Sequence, residues 1–203
     1  VFEELYREAR QRIVGLTMGL SADELARVVP ACPEWTVHKV LAHLSGEASD
    51  IVTGRMDGAP GHEWTARHVA EREHVPADDL LVQWNESGTR IDALDRIPHQ
   101  LALDAITHEA DLRAALGRER LPDSVWYPTL VWFAPRRLPE VTFKTDLGVI
   151  GDGPVTVEVD AYELWRAFFG RRSRRQMQSW PSTDPSVVEK IPFFPARDTD
   201  LVE

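Results

Sequence analysis

Residues 101–117, LALDAITHEADLRAALG, restrict what this chain can fold into more than any other stretch. Ala, Leu and Glu fill it, no proline interrupts it, and Gly117 stands where a helix C-cap belongs. Arg113 and Arg118 sit near the negative end of the macrodipole. The pattern predicts a helix, and an unusual one. A surface helix confines its apolar residues to one stripe; here they occupy most sides, so the helix is expected to be buried on most sides. The exception is a narrow polar stripe of Asp104, His108 and Asp111. Residues four apart share a helix face, about 6 Å apart along the axis. Asp104 and His108 can therefore point into one small volume. A carboxylate and an imidazole in that register can chelate one metal ion. They can equally form an ion pair, or the histidine can be satisfied by a neighbouring carbonyl. A metal would need a third ligand from elsewhere.

The partners that such a helix needs lie upstream. Phe2, Leu5, Ala9, Ile13, Leu16 and Leu20 recur at helical spacing through residues 1–19. Ser21 and Glu24 form a capping-box pattern for a short helical turn that Pro30 stops. Thr36 is placed to cap a helix over residues 37–56, with Val37, Val40, Leu41, Leu44, Ala48, Ile51 and Val52 on its apolar face. His43 and Glu47 lie one turn apart along the edge of that face, at the border between core and cleft. Taken alone, His43 reads as a boundary histidine with a backbone partner. Residues 77–95 give the next helix, with Leu80, Leu81, Trp84, Ile91 and Leu94 inward. Four substantial helices on short connections predict a four-helix bundle. Residues 57–75 read as irregular or weakly helical, and His62, His68 and His74 within them as surface or cleft-rim groups. His68 and His74, six apart, share no helix face. Cys32 reads as a packed small residue, because no basic cluster near it in sequence would lower its pKa.

The pattern changes after Arg118. Residues 125–133 are rich in aromatic and β-branched residues, 140–145 and 155–159 have strand composition, and Gly151-Asp152-Gly153-Pro154 is a turn. Asp160 and Glu163 open a helix that ends at Gly170. The expected organisation is a bundle over 1–118, a small α+β domain over 119–180, and an extended, proline-rich tail over 181–203. Arg171, Arg172, Arg174 and Arg175 form a local positive cluster. It can hold an anionic ligand through charge-assisted hydrogen bonds or be a solvated turn.

Composition narrows the function classes. The net charge is -10 and the pI about 5.2, which argues against general nucleic-acid binding. One cysteine permits no intramolecular disulfide and fits a reducing compartment. No run has the length of a membrane span, and no leader pattern opens the sequence. A cytoplasmic protein without membrane or nucleic-acid partners is expected.

Three stretches together resemble a known family. They are Pro30-Ala31-Cys32-Pro33-Glu34-Trp35-Thr36-Val37 with Ala42-His43-Leu44, then His108-Glu109-Ala110-Asp111-Leu112-Arg113-Ala114-Ala115-Leu116-Gly117, then Ala161-Tyr162-Glu163-Leu164 with Gly170-Arg171-Arg172-Ser173. Their order and spacing resemble the mycothiol-dependent maleylpyruvate isomerase family, part of the wider DinB-like bundle superfamily. The resemblance implies an α+β chain: an up-down DinB-like four-helix bundle followed by a small α+β C-terminal domain. It also implies a metal held by His43, Asp104 and His108, with an open position as a catalytic zinc site needs. Asp104 departs from the glutamate of the characterised isomerase. Being one methylene shorter, it brings the ion closer to the helix or binds it through water. The two histidines would need acceptors for their other ring nitrogens, and Glu47 and Asp111 are the candidates.

The activity implied is that of an enzyme using a divalent metal, zinc first, and a small thiol, mycothiol by resemblance. The metal would help the thiol ionise, and the thiolate would add to an electrophilic substrate, giving isomerisation or S-transfer. Arg171 or Arg172 would hold a carboxylate of substrate or thiol. Two other readings stay open: a metal-dependent hydrolase on the same bundle, and a non-catalytic ligand-binding module whose polar stripe is structural.

Overall fold

The structure, a computed structural model, describes residues 2–203 and divides into two compact units, one ending at Arg120 and the other spanning Leu121–Glu203. In the first unit the elements run α1 (Phe2–Thr17), α2 (Ala22–Leu25), β1 (Val28–Val29), β2 (Cys32–Thr36), α3 (Val37–Thr53), α4 (His62–Arg72), α5 (Ala77–Asp92) and α6 (His99–Ala115). The bundle is built from α1, α3, α5 and α6: α3 lies on α5 and α6, and α1 on α6 and α5. The two short strands pair antiparallel in front of α3.

Local chemistry explains the boundaries. Thr36 caps α3 by accepting from the Lys39 N–H at 3.3 Å, and Gly54 ends it with a positive φ that a Cβ would resist. Ser21 and Glu24 close a reciprocal capping box at α2. At the end of α6, Gly117 takes φ 65°, and the Arg118 N–H reaches back to the Arg113 carbonyl at 2.8 Å, the wider bond of a Schellman cap. Helix α6 is buried along almost its whole length, from Leu101 to Leu112 apart from Asp104. Its polar residues therefore need partners. Thr107 donates to the Leu103 carbonyl, and Glu109, fully buried, is held by Arg12 and Arg113 at about 3 Å.

One difference from the sequence reading bears on function. Residues 57–75 are not mainly irregular: His62–Arg72 is a helix, α4, packed on α3. Its apolar face is only one residue wide per turn, Trp64 and then His68, too narrow for periodicity to register.

The second unit runs α7 (Asp123–Arg137), β3 (Val141–Thr145), β4 (Gly148–Ile150), β5 (Val155–Glu158), α8 (Ala161–Phe168) and α9 (Arg174–Gln178). Its sheet has the order β4-β3-β5, antiparallel on one side of β3 and parallel on the other. The stretch rich in aromatic and β-branched residues is helix α7. Trp126, Leu130, Phe133 and Ala134 are buried at helical spacing, so tertiary burial outweighs β propensity there. The last residues are more than an extended tail. Pro185–Lys190 forms a 3-10 helix, and Val187, Val188, Ile191 and Leu201 are buried. Among the described residues no helix is long and apolar enough to cross a membrane.

Candidate metal centre

Within the first unit, α3 contributes His43 and α6 contributes Asp104 and His108. One ligand atom from each lies within 4.8 Å of the other two. His43 Nε2 is 3.2 Å from Asp104 Oδ2, and His108 Nε2 is 3.6 Å from Asp104 Oδ1. Bonds of about 2.0–2.2 Å place tetrahedral ligand atoms about 3.3–3.6 Å apart; the two separations are of that size, each to a different oxygen of Asp104. Both imidazoles are buried, whereas Asp104 is partly open to solvent. The half-buried Trp35 ring, brought in by β2, lies 5.1 Å from the His43 ring and 5.9 Å from the His108 ring. The set thus has a hydrophobic wall and one wetter side.

Electrostatics on the α3 side also suit a cation. Glu47, one turn beyond His43, is buried, and its Oε2 has no hydrogen-bond partner. Burial, then the charge of Asp104 and a hydrogen bond to it, push the Glu47 pKa well above the usual carboxylate range. One carboxylate and two imidazole nitrogens form a donor set that a divalent ion fits. Glu47 is hydrogen-bonded to Asp104.

Asp111 lies beside His108: its Oδ2 is 3.0 Å from Nδ1, close enough for an ion pair although the N–H is not aligned on it. The Cys32 thiol donates to the same oxygen at 3.7 Å. Cys32, His108 and Asp111 form a second group of possible ligands within 4.8 Å. A cysteine binds metal as thiolate, whereas here the Cys32 thiol is a hydrogen-bond donor.

Sequence reasoning missed the residues behind His43. His68 of α4, read as a rim group, is wholly buried. Its Nδ1 is 3.2 Å from His43 Nδ1, and its Nε2 is 3.0 Å from Asp50 Oδ2. Burial lowers the His68 pKa to about 4, against the opposing pull of Asp50. Arg67 holds Asp50 at 2.8 Å and Arg55 stands 3.5 Å from its other oxygen. One sequence signal was present: Gly46, in the middle of an amphipathic helix. A Cβ there would come within 2.6 Å of His68 Cβ and Cγ, so glycine marks where another chain segment approaches.

Arg171 and Arg172 belong to the second unit. Arg172 is fully buried, bonded through Nε and Nη2 to Glu163, and through Nη1 to Glu203 at 3.2 Å. Its neighbour Arg166, equally buried, shares Glu203 at 2.6 Å. Arg172 is a structural cation of that unit, turned away from solvent. Arg171 is half-buried and donates to the Phe169 carbonyl at 2.7 Å.

Known proteins carry the same organisation. Two solved structures resemble the chain: one of the mycothiol-dependent maleylpyruvate isomerase, with TM-score 0.57 and 14% identity over 90% of this chain and 91% of that one. The other is a histidine-to-alanine mutant of mycothiol-dependent maleylpyruvate isomerase, with TM-score 0.56 and 13% identity over the same shares. At such identities the likeness shows the fold alone. A comparison with curated proteins found no match. Residues 6–142 match the family model described as mycothiol maleylpyruvate isomerase N-terminal domain, well over half of the chain. With that match beside the bundle and its histidine–carboxylate cluster, the chain belongs to the mycothiol maleylpyruvate isomerase N-terminal domain family.

Proposed function

We propose that this protein is a metal-dependent enzyme that uses a small thiol, mycothiol, to isomerise or S-transfer a small, electrophilic, anionic substrate. The observation that carries the proposal is the convergence of His43, Asp104 and His108 within 4.8 Å in a chain of this family. The residues that would hold the ion are His43 and His108 through Nε2, and Asp104 through a carboxylate oxygen. Zinc suits two imidazoles and one carboxylate with an open position. When bound, such an ion favours the anionic form of a thiol at neutral pH.

The chain's own groups set the conditions for that chemistry. Trp35 screens one side of both imidazoles from water. Burial and the neighbouring Asp104 carboxylate raise the Glu47 pKa, which favours its neutral form and less negative charge facing an incoming thiolate or anionic substrate. Asp111 stands 3.0 Å from His108 Nδ1, where its carboxylate orients the ring. Asp104, the partly open member, marks the side from which a small molecule can enter.

The test is metal analysis of protein purified without chelator, followed by zinc titration. We expect close to one equivalent for the wild type. His43→Ala should lose the metal and keep its helical circular dichroism. Less than about a tenth of an equivalent, with no binding on titration, would sink the metal reading. Turnover of maleylpyruvate should depend on added mycothiol. Hydrolysis of an ester or amide with no thiol present would instead favour a metal-dependent hydrolase.

A further inference from the structure

The proposed chemistry gives His68 no part, although it is the most deeply buried histidine of the first unit and stands directly behind a proposed ligand. Its connections define a direction. Asp50 receives Arg67 at 2.8 Å and faces Arg55 at 3.5 Å, so it stands as a carboxylate and can only accept. His68 Nε2, 3.0 Å from Asp50 Oδ2, must then carry the proton and donate. Arg67 already meets the charge of Asp50 on the same oxygen that His68 faces, so a wholly buried His68 gains no unmatched anion and stands neutral, with a lone pair on its Nδ1. The group facing that lone pair at 3.2 Å is His43 Nδ1, which must be an N–H. The remaining nitrogen of His43, Nε2, is the one 3.2 Å from Asp104.

We propose that Asp50 and His68 form a relay that fixes the His43 proton on Nδ1 and so reserves Nε2 for a cation. His68 is thus a positioning residue for metal binding. The reverse polarity would set a lone pair of His68 against the Asp50 carboxylate in a buried site, a juxtaposition costing several times thermal energy. The surrounding packing supports a built arrangement. Trp64 packs edge-on against the His68 ring at 4.2 Å. Gly46 leaves the room that the ring fills, although a glycine in mid-helix is less favourable than alanine. The relay rests on the metal reading for its purpose, but its proton positions can be measured without any metal.

The experiment uses the full chain labelled with 15N-histidine. Long-range 1H–15N correlation of the metal-free wild type should show His68 protonated at Nε2 and bare at Nδ1, and His43 protonated at Nδ1. A bare His43 Nδ1 would overturn the proposal. Zinc titration then compares two variants. His68→Phe keeps a ring against Trp64 but removes the acceptor, and should weaken zinc binding about 10–100-fold. His68→Asn, whose Oδ1 falls where Nδ1 stands, should recover most of that loss. Wild-type affinity in His68→Phe would overturn the positioning role. If His68→Phe does not fold, the wild-type spectrum and His68→Asn still decide. A wild type with the expected proton positions but no zinc affinity would uphold the relay and refute the metal reading separately.

Discussion

Gly46 shows how much a single residue governs around the site. Its missing Cβ is the space into which His68 fits. Gly46→Ala gains helix propensity but forces ring and helix apart, and overpacking of that kind costs about 1–3 kcal/mol. The expected result is a net loss of stability in urea unfolding together with weaker zinc binding, because the His43–His68 contact opens. At this scale the sequence was partly legible. Asp104 and His108 could be paired from sequence because helix geometry fixes what lies four residues away. His43 came only by resemblance, since no local rule links residues on α3 and α6. His68 was missed because its partners, His43 and Asp50, lie on another helix. Six-residue spacing from His74 was the wrong comparison; the informative spacing was four, from Trp64.

Helices α1 and α5 meet through a polar contact inside the core. The Trp84 indole N–H donates to the Tyr6 hydroxyl at 2.9 Å, and both side chains are buried. Burial chiefly pushes the Tyr6 pKa from 10 to about 12. The folded state thus prefers the neutral phenol more than the unfolded state does. Tyr6 makes its full contribution to stability below pH 10 and loses it as pH rises towards 12. Phenolate absorbance should show a late-ionising tyrosine that titrates together with unfolding, and Tyr6→Phe should remove that step. Tyr6→Phe also strips the Trp84 N–H of its acceptor and should cost about 1–3 kcal/mol in denaturant unfolding. The four bundle helices were readable because each repeats apolar residues over several turns. Helix α4 was not, because two residues carry its buried face. Helix α7 was not, because β-branched and aromatic residues supply a helical stripe that propensity assigns to strands.

At the scale of the whole chain, each unit has its own buried core and its own buried charge network. In the second unit, Arg166 and Arg172 share Glu203, so the final residues are structural there. Glu203→Ala leaves Arg166 without the carboxylate its Nε and Nη2 bond, and should destabilise residues 121–203 by about 3–5 kcal/mol, read from hydrogen exchange of α8. Buried arginines were not legible from sequence: four arginines in five residues suggest a surface, and only the fold shows Arg172 turned inward. In the first unit a bound ion adds stability by mass action, about 2.7 kcal/mol at a hundred times its Kd. The account as a whole stands on where that ion sits. A crystal grown with zinc and measured at the zinc absorption edge decides it through an anomalous difference map. The account predicts one strong peak about 2.0–2.2 Å from His43 Nε2, His108 Nε2 and an Asp104 oxygen. A map without that peak, or with its peak held by Cys32 and Asp111 instead, would contradict it.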